Sequence, residues 1–421
     1  MLDFFLFMKY KCIKKLKLRY LTIFVGGIMN KFDILKERKN TNSIKWDFIN
    51  FMYPDLNHEV LPLWVADMDF ECCGSIVNSL KERAESKIYG YSSFDDEYYN
   101  IIIQWVNQKY GYSIDKNEIF YSPGIVPALG ILIRALTKEK DGIIIQSPVY
   151  YPFKNMIVNN HRTVIENNLI NKNGYYEIDF DDLEEKAKNP NNRMLILCSP
   201  HNPVGRVWSS EEIEKIANIC IKYNIYLISD EIHCDLIREG ISFTSMGKFK
   251  ELLKNQLVIC TAPSKSFNLA GLNLSNIFIF NESIKELWKN EITNKMAVSN
   301  PTPFAISATK AAYTKGDEWL KEVNKYIDNN LIYLKEFLDK KLPNVKYLIP
   351  EGTYLAWLDF NNYDLTDEEL TNIFLNEAKV AFDEGKLFGK TGEKFQRINV
   401  ACPRVILEEA LEKVYEALKN K

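Results

Sequence analysis

Three short apolar runs in the middle of the chain end in the same way. Leu195-Ile196-Leu197-Cys198 runs into Ser199-Pro200-His201-Asn202-Pro203-Val204-Gly205. Tyr226-Leu227-Ile228-Ser229 runs into Asp230-Glu231-Ile232-His233, and Leu257-Val258-Ile259-Cys260 into Thr261-Ala262-Pro263-Ser264-Lys265. Runs of this length, bounded by turn residues, read as buried strands. Between and after them the period changes to that of helices. Leu129, Leu132, Ile133 and Leu136 share one face, and so do Leu320, Val323, Tyr326, Ile327, Leu331, Leu334, Phe337 and Leu338 in a long pattern opened by Gly316-Asp317. Ser209-x-x-Glu212 and Thr366-x-x-Glu369 are capping-box signatures for two more helices. The first of these lies between the strands ending near Asn202 and at Asp230, so it reads as a right-handed crossover. Strands alternating with helices make an α/β chain.

In an open α/β sheet, ligands bind outside the carboxyl ends of the strands. Asn202, Asp230 and Lys265 fall at that edge. A lysine held there with its amine desolvated has a lowered pKa and becomes a usable nucleophile, as a Schiff-base lysine must be. The alternative is a surface lysine in a polar loop. Asp230 can hold a proton on a pyridine nitrogen or simply cap the following segment. Alternation points Glu231 to the opposite face, so the two acids do not form a pair. Asn202, between a turn residue and a proline, has an extended backbone and a side chain free to donate. Ser122-Pro123-Gly124-Ile125-Val126-Pro127 is a Gly-containing turn onto a helix, whose N-terminus offers amides to an anion.

These strand ends, in this order, resemble the pyridoxal-phosphate (PLP) transferases of fold type I. Further motifs narrow the resemblance to the MalY/PatB group of cystathionine β-lyases, or carbon–sulfur lyases. They are Leu63-Trp64-Val65-Ala66-Asp67-Met68-Asp69-Phe70, Tyr89-Gly90-Tyr91-Ser92, Ser122 to Pro127, Ser229 to His233, Ala262 to Asn268, Thr353 to Asp359 and Arg397-Ile398-Asn399-Val400-Ala401-Cys402-Pro403-Arg404. The resemblance runs from about Met29 to the C-terminus. It implies a large domain with a mostly parallel central sheet covered by helices, plus a smaller α/β domain. The expected division is an arm and part of the small domain over 29–75, the large domain over 76–315 and the C-terminal small domain over 316–421.

The same resemblance implies roles. Lys265 carries the cofactor and later moves the Cα proton. Asp230 pairs with the ring nitrogen, Asn202 donates to the ring hydroxyl, and His233 stands near it where many aminotransferases carry tyrosine. Tyr150 stacks on the ring, with Tyr151 as the residue it could be confused with. The amides of Gly124, Ile125 and Val126 and the Ser264 hydroxyl hold the phosphate, and Tyr91 reaches it from the neighbouring subunit of a homodimer. Arg397 anchors the substrate carboxylate through a bidentate fork, beside Ala66 and Asn202; Arg404 is its rival and reads as structural. Eight residues after Lys265, where many aminotransferases have an arginine on the phosphate, stands Asn273. The implied reaction is β-elimination from cystathionine or another S-substituted cysteine, giving a thiol, pyruvate and ammonia. An aminotransferase of the same fold is one alternative; a protein that binds and restrains a transcription activator, as some members of the group do, is another. Methionine biosynthesis, sulfide production and detoxification of cysteine conjugates are all compatible.

Composition adds bounds. The chain of 421 residues carries a net charge of −3, so no basic surface argues for nucleic acid. Eight cysteines form no CxxC pair and read as reduced thiols of a cytoplasmic protein. Four histidines without metal-ligand spacing predict no metal site. Residues 1–28 differ from the rest: six Lys/Arg against one Asp, interleaved with Phe, Leu and Tyr. No run there approaches the ~20 apolar residues of a membrane span. An amphipathic surface segment is one reading; a start at Met29, where the resemblance begins, is the preferred one.

Overall fold

The structure, a computed structural model, describes residues 30–298 and 300–421. The expectation about residues 1–28 lies outside the described residues.

A two-residue strand, β1 (Leu61–Pro62), precedes the main sheet. The main sheet begins with β2 (Ile119–Ser122), β3 (Gly142–Ile145) and β4 (Thr163–Glu166). A small hairpin follows, β5 (Ile170–Lys172) and β6 (Tyr175–Glu177). The chain then returns to the sheet with β7 (Asn192–Cys198), β8 (Tyr226–Asp230), β9 (Leu257–Thr261) and β10 (Ser275–Ile279). The seven strands lie in the order β2-β10-β9-β8-β7-β3-β4. Pairing is parallel from β9 through β8, β7 and β3 to β4, and antiparallel on both sides of β10. So β10 alone runs against the rest, and the predicted, mostly parallel sheet is what forms.

Parallel strands buried on both faces need apolar residues at every position. The alternation then sorts them between two cores. Leu257 and Ile259 of β9 pack on one side, Val258 and Cys260 on the other. Leu195 and Leu197 of β7 divide from Met194, Ile196 and Cys198 in the same way. The helices Ile125–Leu136 and Pro152–Asn159 cover the second face. The helix Ser210–Tyr223 carries the chain from β7 to its parallel neighbour β8, and its Ser209/Glu212 capping box is formed. The long helix spans Asp317–Lys341, with all eight predicted apolar positions buried.

Beyond it, β11 (Leu355–Asp359), β13 (Asp383–Glu384) and β14 (Phe395–Asn399) form a three-stranded antiparallel sheet. β12 (Val380–Ala381) pairs in parallel with β1. This draws Leu63–Phe70 alongside the C-terminal sheet: Leu63 donates its N–H to the Ala381 carbonyl, and Asn399 donates back to Leu63.

Candidate active site

β8 and β9 end side by side, with Asp230 in register with Cys260. Asp230 is the last residue of β8 and is buried. Lys265 sits on the short helical turn Pro263–Ser266 that follows β9. One Asp230 oxygen accepts the Ile232 N–H at 3.1 Å. Burial pushes its carboxyl up to about 7, against that hydrogen bond and the nearby Lys265. The same burial pushes the Lys265 ammonium down to about 8, opposed by Asp67 and Asp230 and assisted by Arg397. The Lys265 amine makes one hydrogen bond, to the Ala66 carbonyl at 2.6 Å.

The wall that offers this carbonyl is held from three sides. Tyr354, just before β11, donates its hydroxyl to the same Ala66 oxygen at 2.9 Å. Asn399 donates to the Val65 and Asp67 carbonyls at 2.7 and 2.6 Å. Asn268, three residues after Lys265, clasps the wall with its amide: its oxygen takes the Met68 N–H, and its nitrogen bonds the Met68 and Phe70 carbonyls. Arg38 and the buried Lys45 pair with Asp67 and Asp69 behind it.

Arg397 projects from β14 and is 3% exposed. Its guanidinium donates to the Asn202 side-chain oxygen at 3.0 Å, to the Trp64 carbonyl at 3.1 Å and to Asp383. Phe388 lies against its face, 4.9 Å away. Its Nε–H is buried without a protein partner. Asn202 is buried beyond β7; its backbone carbonyl accepts the Tyr150 N–H at 3.0 Å, so the tyrosine is tied to the asparagine that meets Arg397. The Tyr150 hydroxyl is surrounded by Tyr151, Arg397, Asp230 and Asp383, and burial raises its pKa. His233 is 2% exposed and kept neutral: burial lowers its pKa far below the usual value, and Lys265 and Arg397 add to this. Its Nδ1 has no partner.

Lys265, Asp230, Asn202, Arg397, Tyr150, His233 and Ala66 are therefore linked by bonds or mutual charge effects. The Asn202 oxygen is held by Arg397, so its amide nitrogen is the end left to donate. Gly124, Ile125 and Val126 open the helix Ile125–Leu136, which packs in the same core as Val258 and Cys260 of β9. The first-turn amides of a helix lack intrahelical acceptors. The Ser264 side chain is partly exposed, and Tyr91 is fully exposed in the single chain. Asn273 ends a 3-10 turn with φ +53°. Arg404 behaves as the structural arginine expected: it bonds Asn330 and the Asn329 carbonyl and stacks on Tyr333. Glu231 turns away from Asp230 and accepts from Ser229, Ser245 and the Met246 N–H.

Asp383, Tyr354, Asn399 and Asn268 are site residues that sequence reasoning did not single out. The motifs containing the last three were visible; Asp383 lay in none.

A buried acid, a neutral histidine, an asparagine and an amine lowered by burial are the groups a pyridine aldehyde requires, and they fit PLP. Residues 58–414 match the family model for aminotransferase class I and II. The chain is 38% identical to cystathionine β-lyase PatB of Bacillus subtilis, over 92% of this chain and 99% of that one. It superposes on cystalysin of Treponema denticola, whose structure contains pyridoxal 5′-phosphate, with a TM-score of 0.89 and 38% identity, covering 93% of this chain and 100% of that one. It superposes on the PLP-bound C-S lyase of Staphylococcus hominis with a TM-score of 0.85 and 36% identity, covering 93% and 99%. With its lysine, acid and arginine gathered at the strand ends, the chain belongs to the class I and II aminotransferases and, among them, to the PLP-dependent carbon–sulfur β-lyases.

Proposed function

We propose that the chain splits L-cystathionine and other S-substituted L-cysteines by β-elimination, releasing a thiol, pyruvate and ammonia. The observation that carries this is the Lys265 amine. It stands on the turn just beyond β9, is lowered to about 8, and is held at a carbonyl rather than in a salt bridge.

When bound, PLP supplies an aldehyde for the substrate amine and a ring that accepts the electron pair left at Cα. The chain does the rest. Lys265 would hold the cofactor and would take the Cα proton as an intramolecular base. Asp230 is assigned to the ring nitrogen, where its charge keeps a proton. Asn202 and His233 are assigned to the ring hydroxyl, with His233 neutral and able to share a hydrogen bond. Tyr150 is assigned to the ring face. The amides of Gly124, Ile125 and Val126, the Ser264 hydroxyl and Tyr91 of the partner subunit are assigned to the phosphate. Arg397 anchors the α-carboxylate, its unpartnered Nε–H being one donor available for it.

We read the molecule as a homodimer because a phosphate ligand so exposed in one chain is useful only to another. The divisions near residues 76 and 316 are proposed as domain limits, since the three-stranded sheet, to which Leu63–Phe70 is hydrogen-bonded, is separate from the seven-stranded one. The seven described cysteines are unpaired, which supports a reducing, cytoplasmic setting. Among the described residues no helix is long and apolar enough to cross a membrane.

The test is direct. Purified enzyme mixed with cystathionine should release pyruvate and free thiol together, and K265A should lose both products and the visible absorbance of lysine-bound cofactor. Amino-group transfer to a keto acid without thiol release would sink the reading in favour of an aminotransferase. Normal turnover by K265A would sink the lysine assignment.

A further inference from the structure

Arg397 and Asp383 face each other directly across β13 and β14. They form an ion pair with 3% and 2% of their surface exposed. Of the five guanidinium N–H donors, three are engaged by Asp383, Trp64 and Asn202. The second Asp383 oxygen, Oδ1, is buried and has no hydrogen-bond partner. The anchor for an amino-acid carboxylate is therefore already neutralised by an anion of the protein itself. A second carboxylate arriving at the same guanidinium would leave two buried negative charges against one positive charge. Two carboxylates converging on one site cannot both stay ionised at low cost.

We propose that Asp383 takes up a proton when a substrate carboxylate docks on Arg397, so that the enzyme binds its amino-acid substrate together with one proton. The proposal rests on the reading of Arg397 as carboxylate anchor. Asp383 is a positioning residue: it touches the arginine, and its free oxygen is where the proton goes.

The surroundings single out Asp383. Burial already raises its carboxyl to about 6, with Glu384 adding to the rise and Arg397 opposing it. Glu384, its neighbour on β13, is paired with Lys386 at 2.6 Å. Tyr53, Tyr150 and Tyr151 also face Asp383, and all three are held as neutral phenols by burial. Lys265 and the neutral His233 also lie within reach of the Arg397 charge, with Asp230 beside Lys265. Of these, the Lys265 nitrogen also responds to a new anion, because Arg397 depresses it. The visible band of the bound cofactor tracks that nitrogen separately.

The experiment uses holoenzyme and 3-(methylthio)propionate, a sulfur-containing carboxylate that lacks the amine and so cannot react at the cofactor. Titration calorimetry in buffers of different ionisation enthalpy counts the protons taken up on binding. Absorbance of the cofactor gives the share belonging to Lys265, which is subtracted. Near pH 7.5 the remainder should be close to one in the wild type and close to zero in Asp383→Asn, whose amide oxygen can still accept from Arg397. The inhibition constant of the probe should rise about tenfold per pH unit above neutrality in the wild type, as one linked proton requires. In Asp383→Asn it should be lower and keep only the pH dependence that the cofactor absorbance assigns to Lys265. Asp383→Glu, which keeps a titratable group, should keep the uptake. Wild-type enzyme that binds the probe with no residual uptake overturns the proposal, whatever the variants do. So does undiminished uptake in Asp383→Asn. Equal binding of the probe by Arg397→Lys would instead remove the anchor reading on which the proposal stands.

Discussion

At the strand ends, one physical cause moves two groups in opposite directions. Burial disfavours charge, so the Lys265 ammonium falls to about 8 while the Asp230 carboxyl rises to about 7. An amine attacks an aldehyde only when neutral. In cofactor-free protein the rate of reconstitution with PLP should therefore climb about tenfold per pH unit below about 8 and level off above it. Stopped-flow measurement of the growing visible band would show this; a profile still rising at pH 10 would mean that the lysine is not desolvated. Asp230 at about 7 awaits a cation to keep it ionised, and a protonated ring nitrogen is one. Asp230→Asn should lower kcat by about 10²–10³-fold, the usual cost of removing one preorganised electrostatic partner, with KM for cystathionine much less affected. Lys265, Asp230 and Asn202 could be singled out from sequence because each ends or closely follows an apolar run, and a strand end in an α/β sheet is a place where ligands bind. Asp383 was not legible. It is joined to Arg397 by strand register alone, 14 positions away along the chain, and nothing in Val380-Ala381-Phe382-Asp383-Glu384 announces a two-residue strand.

Long elements were read from their periodicity because burial on one face must repeat along them. The helix Asp317–Lys341 buries each of its predicted apolar positions, and both capping boxes close as the Ser/Thr-x-x-Glu spacing requires. Short elements escape such reading. β1 and β12 have two residues each and exist only because they pair with each other, so no local pattern encodes them. The wall Leu63–Phe70 is a further case: it has little regular structure and is fixed by side chains from elsewhere. Asn268 is the clearest of these, adopting a left-handed backbone at φ +57° so that its amide meets both Met68 and Phe70. Asn tolerates that conformation better than most residues. Asn268→Ala removes the three hydrogen bonds and strains the backbone, and should cost about 2–4 kcal/mol of stability by denaturant titration. Asn268→Gly should recover only the backbone share, about 1 kcal/mol. Both variants should raise the activity lost on mild heating, because the Ala66 carbonyl that receives Lys265 moves with the wall. Equal stability of wild type and Asn268→Ala would show that the clasp contributes nothing.

For the whole molecule, the feature that bears on the proposed dimer is a cluster of exposed apolar residues around Tyr91. Ile88, Tyr89 and Tyr91 are all exposed in the single chain, in a segment between the helices Gly74–Glu85 and Asp96–Tyr110. Exposed apolar residues clustered in this way mark an interaction surface more often than they occur by chance. In a twofold dimer the same surface is used by both copies, so a residue given to the neighbour's site is also received from it. This makes shared sites testable by complementation. Tyr91→Ala should weaken cofactor retention in every homodimer, and Lys265→Ala should abolish turnover. After the two variants are mixed and their subunits allowed to reassort, about half of the dimers should be mixed, by random twofold pairing. Each mixed dimer holds one site with its own Lys265 and an intact Tyr91 from across the interface, while its other site lacks both. Pyruvate release should then recover to roughly a quarter of the wild-type rate, the share of intact sites that such pairing gives. If Tyr91 served its own chain, the same mixing would restore nothing, because every site with Lys265 would still lack the tyrosine.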